Sequence, residues 1–343
     1  MKSNSEISSL PQRIIWSLDP SLKLAESKDL LRELRIWARH LNCAVQPVSV
    51  FSRSLMNPPL ELGISMDEDF EGLAQKSFEA YLKKLGALDL LPAQLLFVAA
   101  MSKRQFALEL SKYAEKTHAL MIFARTQARK SWNPFRLGGF AETLTASARV
   151  PILLMNPHAR ASAKISSILF PTNFDANSLR ALKCLEPIAK AFRAKVTIYN
   201  QLENPHYLQT EIGYFGQTQV LGIDYLLKEA KKIRQKRADM WSKLLQSKNL
   251  KSESIIKRAR KSLSEDILNE AKRTDSQLIA IAAESGPISQ AILGSHVRDL
   301  IIKAKCPVLV FYKTKVPRKQ NLRTKHLLKQ KGLTKTPATI QLN

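Results

Sequence analysis

The sequence predicts an α/β protein built as two tandem three-layer sandwiches. Each is a five-stranded parallel sheet between helices, of the adenine nucleotide alpha hydrolase-like kind, and a basic C-terminal tail follows. Three observations carry this. First, the stretch "LGGFAETLTASARVPILLM" (137–155) returns as "LGSHVRDLIIKAKCPVLVF" (293–311), with Leu144/Leu300, Ala148/Ala304 and Leu153/Leu309 coinciding at a constant offset of 156 residues, as from Gly138 to Gly294 and from Pro151 to Pro307. A fixed period of this kind marks a unit used twice. Second, each half alternates short β-rich runs with helical patterns, which argues for a parallel sheet wrapped by helices. Third, runs such as "IAIAA" and "PVLVF" are continuously apolar, as strands covered on both faces must be.

In the first half "RIIWSLD" is a strand ending at Asp19. "LAESKDLLRELRIWARHL" then places Leu30, Leu31, Leu34, Trp37 and Leu41 at helical spacing. "CAVQPVSVF", "LPAQLLFVAAM", "HALMIFA" and "VPILLM" supply four more strands. The second half repeats the order with "ISSILFP", a helix from about Ala176 to Phe192, and "AKVTIYN". "IDYLLKEAKKIRQKRADMWSKLLQ" then puts Ile223, Leu226, Leu227, Ala230, Ile233, Met240, Trp241 and Leu244 on one face with Lys and Arg opposite, the pattern of an amphipathic cover helix with a basic solvent side. "SESIIKRA", "LSEDILNEAKR" with Ser264 as its cap, "SQLIAIAA" and "CPVLVFY" complete the half.

The expected domains are 12–156 and 164–312, joined by a short polar link, with 313–343 as a tail too poor in apolar residues to pack. Segments 57–69 and 204–222 sit at the same place in each repeat and read as loops over the end of the sheet. Of the net charge of +25, the tail supplies nine Lys/Arg and no acid, so the basic excess extends over the rest of the chain. Such a field favours polyanions. No apolar run approaches a membrane span or a signal-peptide core, so a cytoplasmic protein is expected. Cys43, Cys184 and Cys306 lie far apart, which argues against a disulfide framework or a thiolate site and for buried small apolar residues. The six histidines show no ligand spacing, and no metal site is expected.

"ILFPTNFDANSLRALKCL", then a Gly-Ser ahead of a helix, then "CPVLVF", resembles the universal stress protein family, and the duplication resembles its tandem form. The resemblance implies that the halves pair within the chain through their last strands, "VPILLM" and "CPVLVF", and it leaves a homodimer open. It also implies a cleft for ATP or another adenine nucleotide, with an acidic residue after strand one, a base contact at the end of strand two, and a G-x2-G-x9-G-[S/T] phosphate loop. Glycines in such a loop let backbone N–H groups approach phosphate oxygens at a helix N-terminus.

Asp19 and Val50 match the first two elements in the first half, and Gly138 and Gly139 stand at the end of the loop. Arg125 and Ala128 replace the two early glycines, while Arg125 and Arg129 bring charge that would meet phosphate or lie in solvent. In the second half Thr172 and Asn173 end strand one, with Asn173 replacing the acid. Gly286 is the glycine nearest the early motif positions, and Gly294 and Ser295 match its end, although a glycine with a Ser cap also serves any tight turn into a helix.

These departures imply weak or absent triphosphate binding. The expected function is a non-enzymatic stress-response or regulatory protein acting through a nucleotide or a protein partner. The alternative takes the charge as primary: a scaffold binding nucleic acid or an anionic membrane through its tail and the basic helix Lys228 to Lys243. A P-loop is excluded because no Gly-Lys-[Ser/Thr] occurs. An ATP-pyrophosphatase type is disfavoured because no glycine follows strand one in "DPSLKLAES" or "PTNFDANS".

Overall fold

A strand that is apolar on both faces has to be covered on both, and the chain meets this demand by returning through a helix after most strands. The computed structural model describes residues 12–53, 70–99, 102–126, 139–157, 159, 164–202, 218–283 and 295–312. The first half runs β1 (Arg13–Ser17), α1 (Leu24–Leu41), β2 (Ala44–Ser52), α2 (Phe70–Leu85), β3 (Gln94–Val98), α3 (Lys103–Lys116), β4 (Met121–Arg125), α4 (Gly139–Ser147) and β5 (Ile152–Met155). The second runs β6 (Ser167–Pro171), α5 (Ala176–Phe192), β7 (Lys195–Leu202), α6 (Thr218–Gln246), β8 (Ser252–Arg258), α7 (Leu263–Arg273), β9 (Leu278–Ala282), α8 (Ser295–Lys303) and β10 (Val308–Phe311). The tail lies outside the described residues, as do loop positions 57–69 and 204–217, whereas 218–222 belong to α6.

All strand pairs within each half are parallel. The last strand of each half is an edge with four buried apolar residues, ILLM and VLVF. Left open, such an edge exposes unpaired backbone groups beside apolar side chains. The two edges close on each other: β5 and β10 pair antiparallel with Leu153 opposite Leu309. These leucines are repeat equivalents, so a pseudo-twofold axis passes between them. The two five-stranded sheets thereby become one ten-stranded sheet, ordered β3-β2-β1-β4-β5-β10-β9-β6-β7-β8.

Alternation along each strand divides the core into two layers. On one face Ile14, Trp16, Phe123, Ile168 and Phe170 meet Trp37 of α1, Phe78 of α2, Phe192 of α5 and Trp241 of α6. On the other, Ile15, Ile122, Leu169 and Ile279 meet Leu110 of α3, Leu144 of α4, Ile267 of α7 and Ile301 of α8. Each layer runs through both halves, so the halves share their core.

Polar contacts link the two halves around the axis. Arg298 donates to the Glu142 carboxylate across the axis, and the two residues are separated by the repeat offset of 156. Asn156 Nδ2 donates to the carbonyl of Ile301 at 3.3 Å and to that of Ile302. The equivalent Tyr312, one repeat later, buries its hydroxyl beside Thr145, the equivalent of Ile301, and burial raises its pKa well above the usual phenol range. On the opposite face, Trp37 packs edge-on against Phe192 at 4.9 Å, and His40 lies 4.4 Å from the same ring.

Three expectations are corrected. α7 is capped by Ser262, not Ser264: Ser262 accepts from the Glu265 amide, and Ser264 is buried inside the helix. The S-x-x-E order of a capping box starts at Ser262, which is why it wins. Cys184 is exposed on α5, and Cys43 and Cys306 are half-buried, with burial raising their thiols to about 11 and about 12. The apolar face read on α6 is split: Trp241 is buried, but Ile233, Met240 and Leu244 are exposed. Beneath it lie the last two strands of the sheet, β7 and β8, and Ala230, Ala238, Trp241 and Leu245 pack on the core there.

α5 begins at Asp175, whose Oδ1 accepts from the Ser178 amide at 2.6 Å. Burial opposes ionisation of this carboxyl, but bonds from Ser178 and Asn173 outweigh it and hold its pKa below the usual range. Asp175→Ala is expected to cost about 1 kcal/mol, read as a lower urea midpoint at neutral pH. An unchanged midpoint would show that the cap contributes nothing.

Candidate functional site

In each half the strand order reverses beside the first strand, between β1 and β4 and between β6 and β9. The carboxyl ends of those strands flank a crevice, which is where open α/β sheets place their ligands. The two crevices are built from different side chains.

In the first, Asp19 follows β1 and Arg125 ends β4. Asp19 Oδ1 accepts from the Ser21 amide at 2.9 Å and the Ser21 hydroxyl at 2.6 Å, which ties the carboxylate into its own turn. Arg125 Nη1 donates to Glu26 Oε2 at 2.6 Å, with its side chain only 15% exposed. Glu26 stands in the first turn of α1, where an acid also complements the helix dipole. Val50 lies near the end of β2, half-buried against the core layer under α3 and α4. Gly139 opens α4, while Arg129 and Gly138 lie outside the described residues.

In the second crevice the residues after β6 are bonded to one another. The Thr172 amide donates to the Tyr199 carbonyl at 2.9 Å, and its hydroxyl accepts from the Phe174 amide at 2.9 Å. Asn173 Oδ1 accepts from the Asp175 amide at 3.1 Å and the Ser178 hydroxyl at 2.9 Å. Phe174 has a φ of 62°, a conformation strained for a bulky residue, and its ring is held 5.1 Å from Trp241. Ser295 opens α8, while Gly286 and Gly294 lie outside the described residues.

Several residues here were not found from sequence. Glu26 gave no signal beyond being an acid in a first turn. Beside the second crevice, Asn200 Nδ2 donates to the Thr172 carbonyl at 2.6 Å, and Arg234 of α6 reaches Asn200 Oδ1 at 3.0 Å and the Gln201 carbonyl at 2.8 Å. Gln201 Nε2 donates to Asp266 Oδ2 at 2.5 Å. Burial works against Asp266, but bonds from the Arg260 and Lys261 amides and from Gln201 keep its pKa low. Burial, and then the charges of Asp266 and Glu270, push the Tyr199 phenol upward. Among the described residues, no three His, Cys, Asp or Glu side chains converge as metal ligands, and no helix is long and apolar enough to cross a membrane.

The mostly parallel sheet with helices on both faces and a crevice at each reversal defines a doubled α/β protein of the nucleotide alpha hydrolase-like fold class. Residues 164–311 match the universal stress protein family, and the second half is therefore a domain of that family. Among solved structures, the chain is similar to a universal stress protein from Archaeoglobus fulgidus DSM 4304, at 13% identity and a TM-score of 0.55 over 87% of this chain and 96% of that one. It is likewise similar to a functionally unknown protein from Pseudomonas aeruginosa PAO1, at 12% identity and a TM-score of 0.55 over 91% and 95%. Single chains thus match both halves together, a likeness of fold. Comparison with curated proteins returns no match.

Proposed function

We propose that this chain is a tandem universal stress protein that acts in the stress response by binding, without catalysis, and that its crevices have lost conventional affinity for a triphosphate. On this reading 12–156 and 164–312 are its two stress-protein domains, 313–343 is a tail with affinity for polyanions, the protein is cytoplasmic, and the intrachain pairing of β5 with β10 replaces the pairing of two subunits. A further homodimer would form elsewhere on the surface. The observation that carries the reading is the ion pair between Arg125 and Glu26: the cation that stands for a phosphate-loop glycine already holds a carboxylate, and a phosphate arriving there meets that negative charge. In the second crevice the side chain at the acidic position is Asn173, and its oxygen is engaged within its own loop. Both observations support a loss of conventional affinity for a triphosphate.

Calorimetric titration of ATP, AMP and cyclic AMP tests this. Wild type is expected to bind ATP weakly or not at all, and Glu26→Gln to tighten it about tenfold by removing the opposing charge. Tight, magnesium-dependent ATP binding that Asp19→Ala abolishes would overturn the reading.

A further inference from the structure

α6 is held to the sheet by one side only. Ala238, Trp241 and Leu245 are buried, Arg234 reaches the end of β7, and Gln235 and Ser242 bond to Ser254 and Ser252 of β8. Those contacts fix the rotation of the helix and leave Ile233 at 55%, Met240 at 63% and Leu244 at 37% exposed, with Tyr225 at 63%. Four of the nine exposed large apolar residues among the described residues are therefore on this one helix. Ile233, Met240 and Leu244 are spaced i, i+7, i+11, so they fall on one line along the surface. Lys236 and Arg237 lie beside that line, with Lys228, Lys232 and Lys243 further round, all exposed. Lys232 pairs with Glu229 at 2.6 Å, whereas Asp239 turns toward Gln235 and Ser254. Lys228, Lys236, Arg237 and Lys243 make no ion pair among the described residues.

We propose that this side of α6 is a docking surface for an anionic lipid bilayer. Charge complementarity selects the occupant. A second copy laid on this stripe would set cations against cations, and a nucleic-acid backbone would neutralise the cations but leave Ile233 and Met240 in water. An anionic bilayer meets both demands: the apolar residues enter the boundary between headgroups and acyl chains, while the Lys and Arg stems extend so that their charges reach the headgroups. The net charge of +25 brings the whole molecule toward such a surface.

The test uses the full chain and flotation with phosphatidylcholine vesicles, with and without phosphatidylserine. Wild type is expected to float only with the anionic vesicles. The double variants I233S/M240S and K236Q/R237Q are each expected to weaken that binding about tenfold, with unchanged thermal melts because every altered side chain is exposed. I233S/M240S is expected to leave binding to duplex DNA unchanged. Three results would overturn the proposal: no binding of wild type to anionic vesicles; vesicle binding unaffected in I233S/M240S, which would assign it to charge alone; or a wild-type dimer in light scattering that becomes a monomer in I233S/M240S, which would make a second copy the occupant.

Discussion

Glu33→Gln is expected to stabilise the protein at pH 8 and to have little effect near pH 5. Glu33 lies on the inner side of α1, where Trp37 Nε1 donates to its Oε1 at 3.3 Å and its Oε2 is buried with no hydrogen-bond partner among the described residues. Burial raises its pKa from 4.5 to about 7, with the Trp37 bond opposing. The folded state therefore holds a proton that the unfolded chain releases above pH 4.5. Stability from this group is complete below pH 4.5, declines between 4.5 and 7, and above 7 carries a full penalty of about 3 kcal/mol. Gln keeps the acceptor for Trp37 and removes the ionisation, although its amide N–H group inherits the unsatisfied position. The net gain at pH 8 is therefore about 1–2 kcal/mol. Denaturant melts of both proteins at pH 5 and pH 8 decide the matter, and a difference that does not change with pH would sink the assignment. The paired measurement is needed because Asp175, Asp266 and Glu270, whose pKa values are lowered, lose stability in the opposite direction as pH falls.

Glu142→Arg is expected to cost about 2 kcal/mol, because it removes a charged hydrogen bond and sets two guanidinium groups face to face at the pseudo-twofold axis. The side chains of Arg298 and Glu142 are 41% and 34% exposed, so the loss stays below that of a fully buried pair. The exchanged double variant Glu142→Arg with Arg298→Glu restores the pair in reverse and is expected to recover stability to within about 0.5 kcal/mol. Additive losses in the double variant would show that the two residues do not interact. The prediction has meaning only because the halves have diverged. In a symmetric pair of identical subunits a residue on the axis meets itself, so a Glu would face a Glu. Joining the halves in one chain let equivalent positions take opposite charges.

The order of strands and helices was legible because it rests on local signals. Continuous apolar runs such as "IAIAA" (279–283) admit little but a covered strand, and the 156-residue offset marked the last helix and strand of each half as one unit used twice. The crevices were legible in position but not in content. Asp19, Thr172 and Asn173 lie one or two residues past β1 and β6, while Arg125, read as a loop residue, ends β4 and is met by Glu26, 99 residues away in the chain. Ser264 yielded to Ser262 because a capping oxygen must precede the first turn, and the residue-by-residue preference for Ser does not distinguish the two.

By itself the sequence determined the fold class, the duplication and the departures from the phosphate-loop motif, since each follows from residue type and spacing along the chain. Tertiary structure decided which charges are already partnered, that Glu142 meets Arg298 across the axis, and that α6 turns Ile233 and Met240 outward. The physical reason is range. Periodicity records how a segment faces its immediate surroundings, whereas a salt bridge or an exposed stripe depends on which strands lie beneath a helix and on side chains brought in from distant parts of the chain.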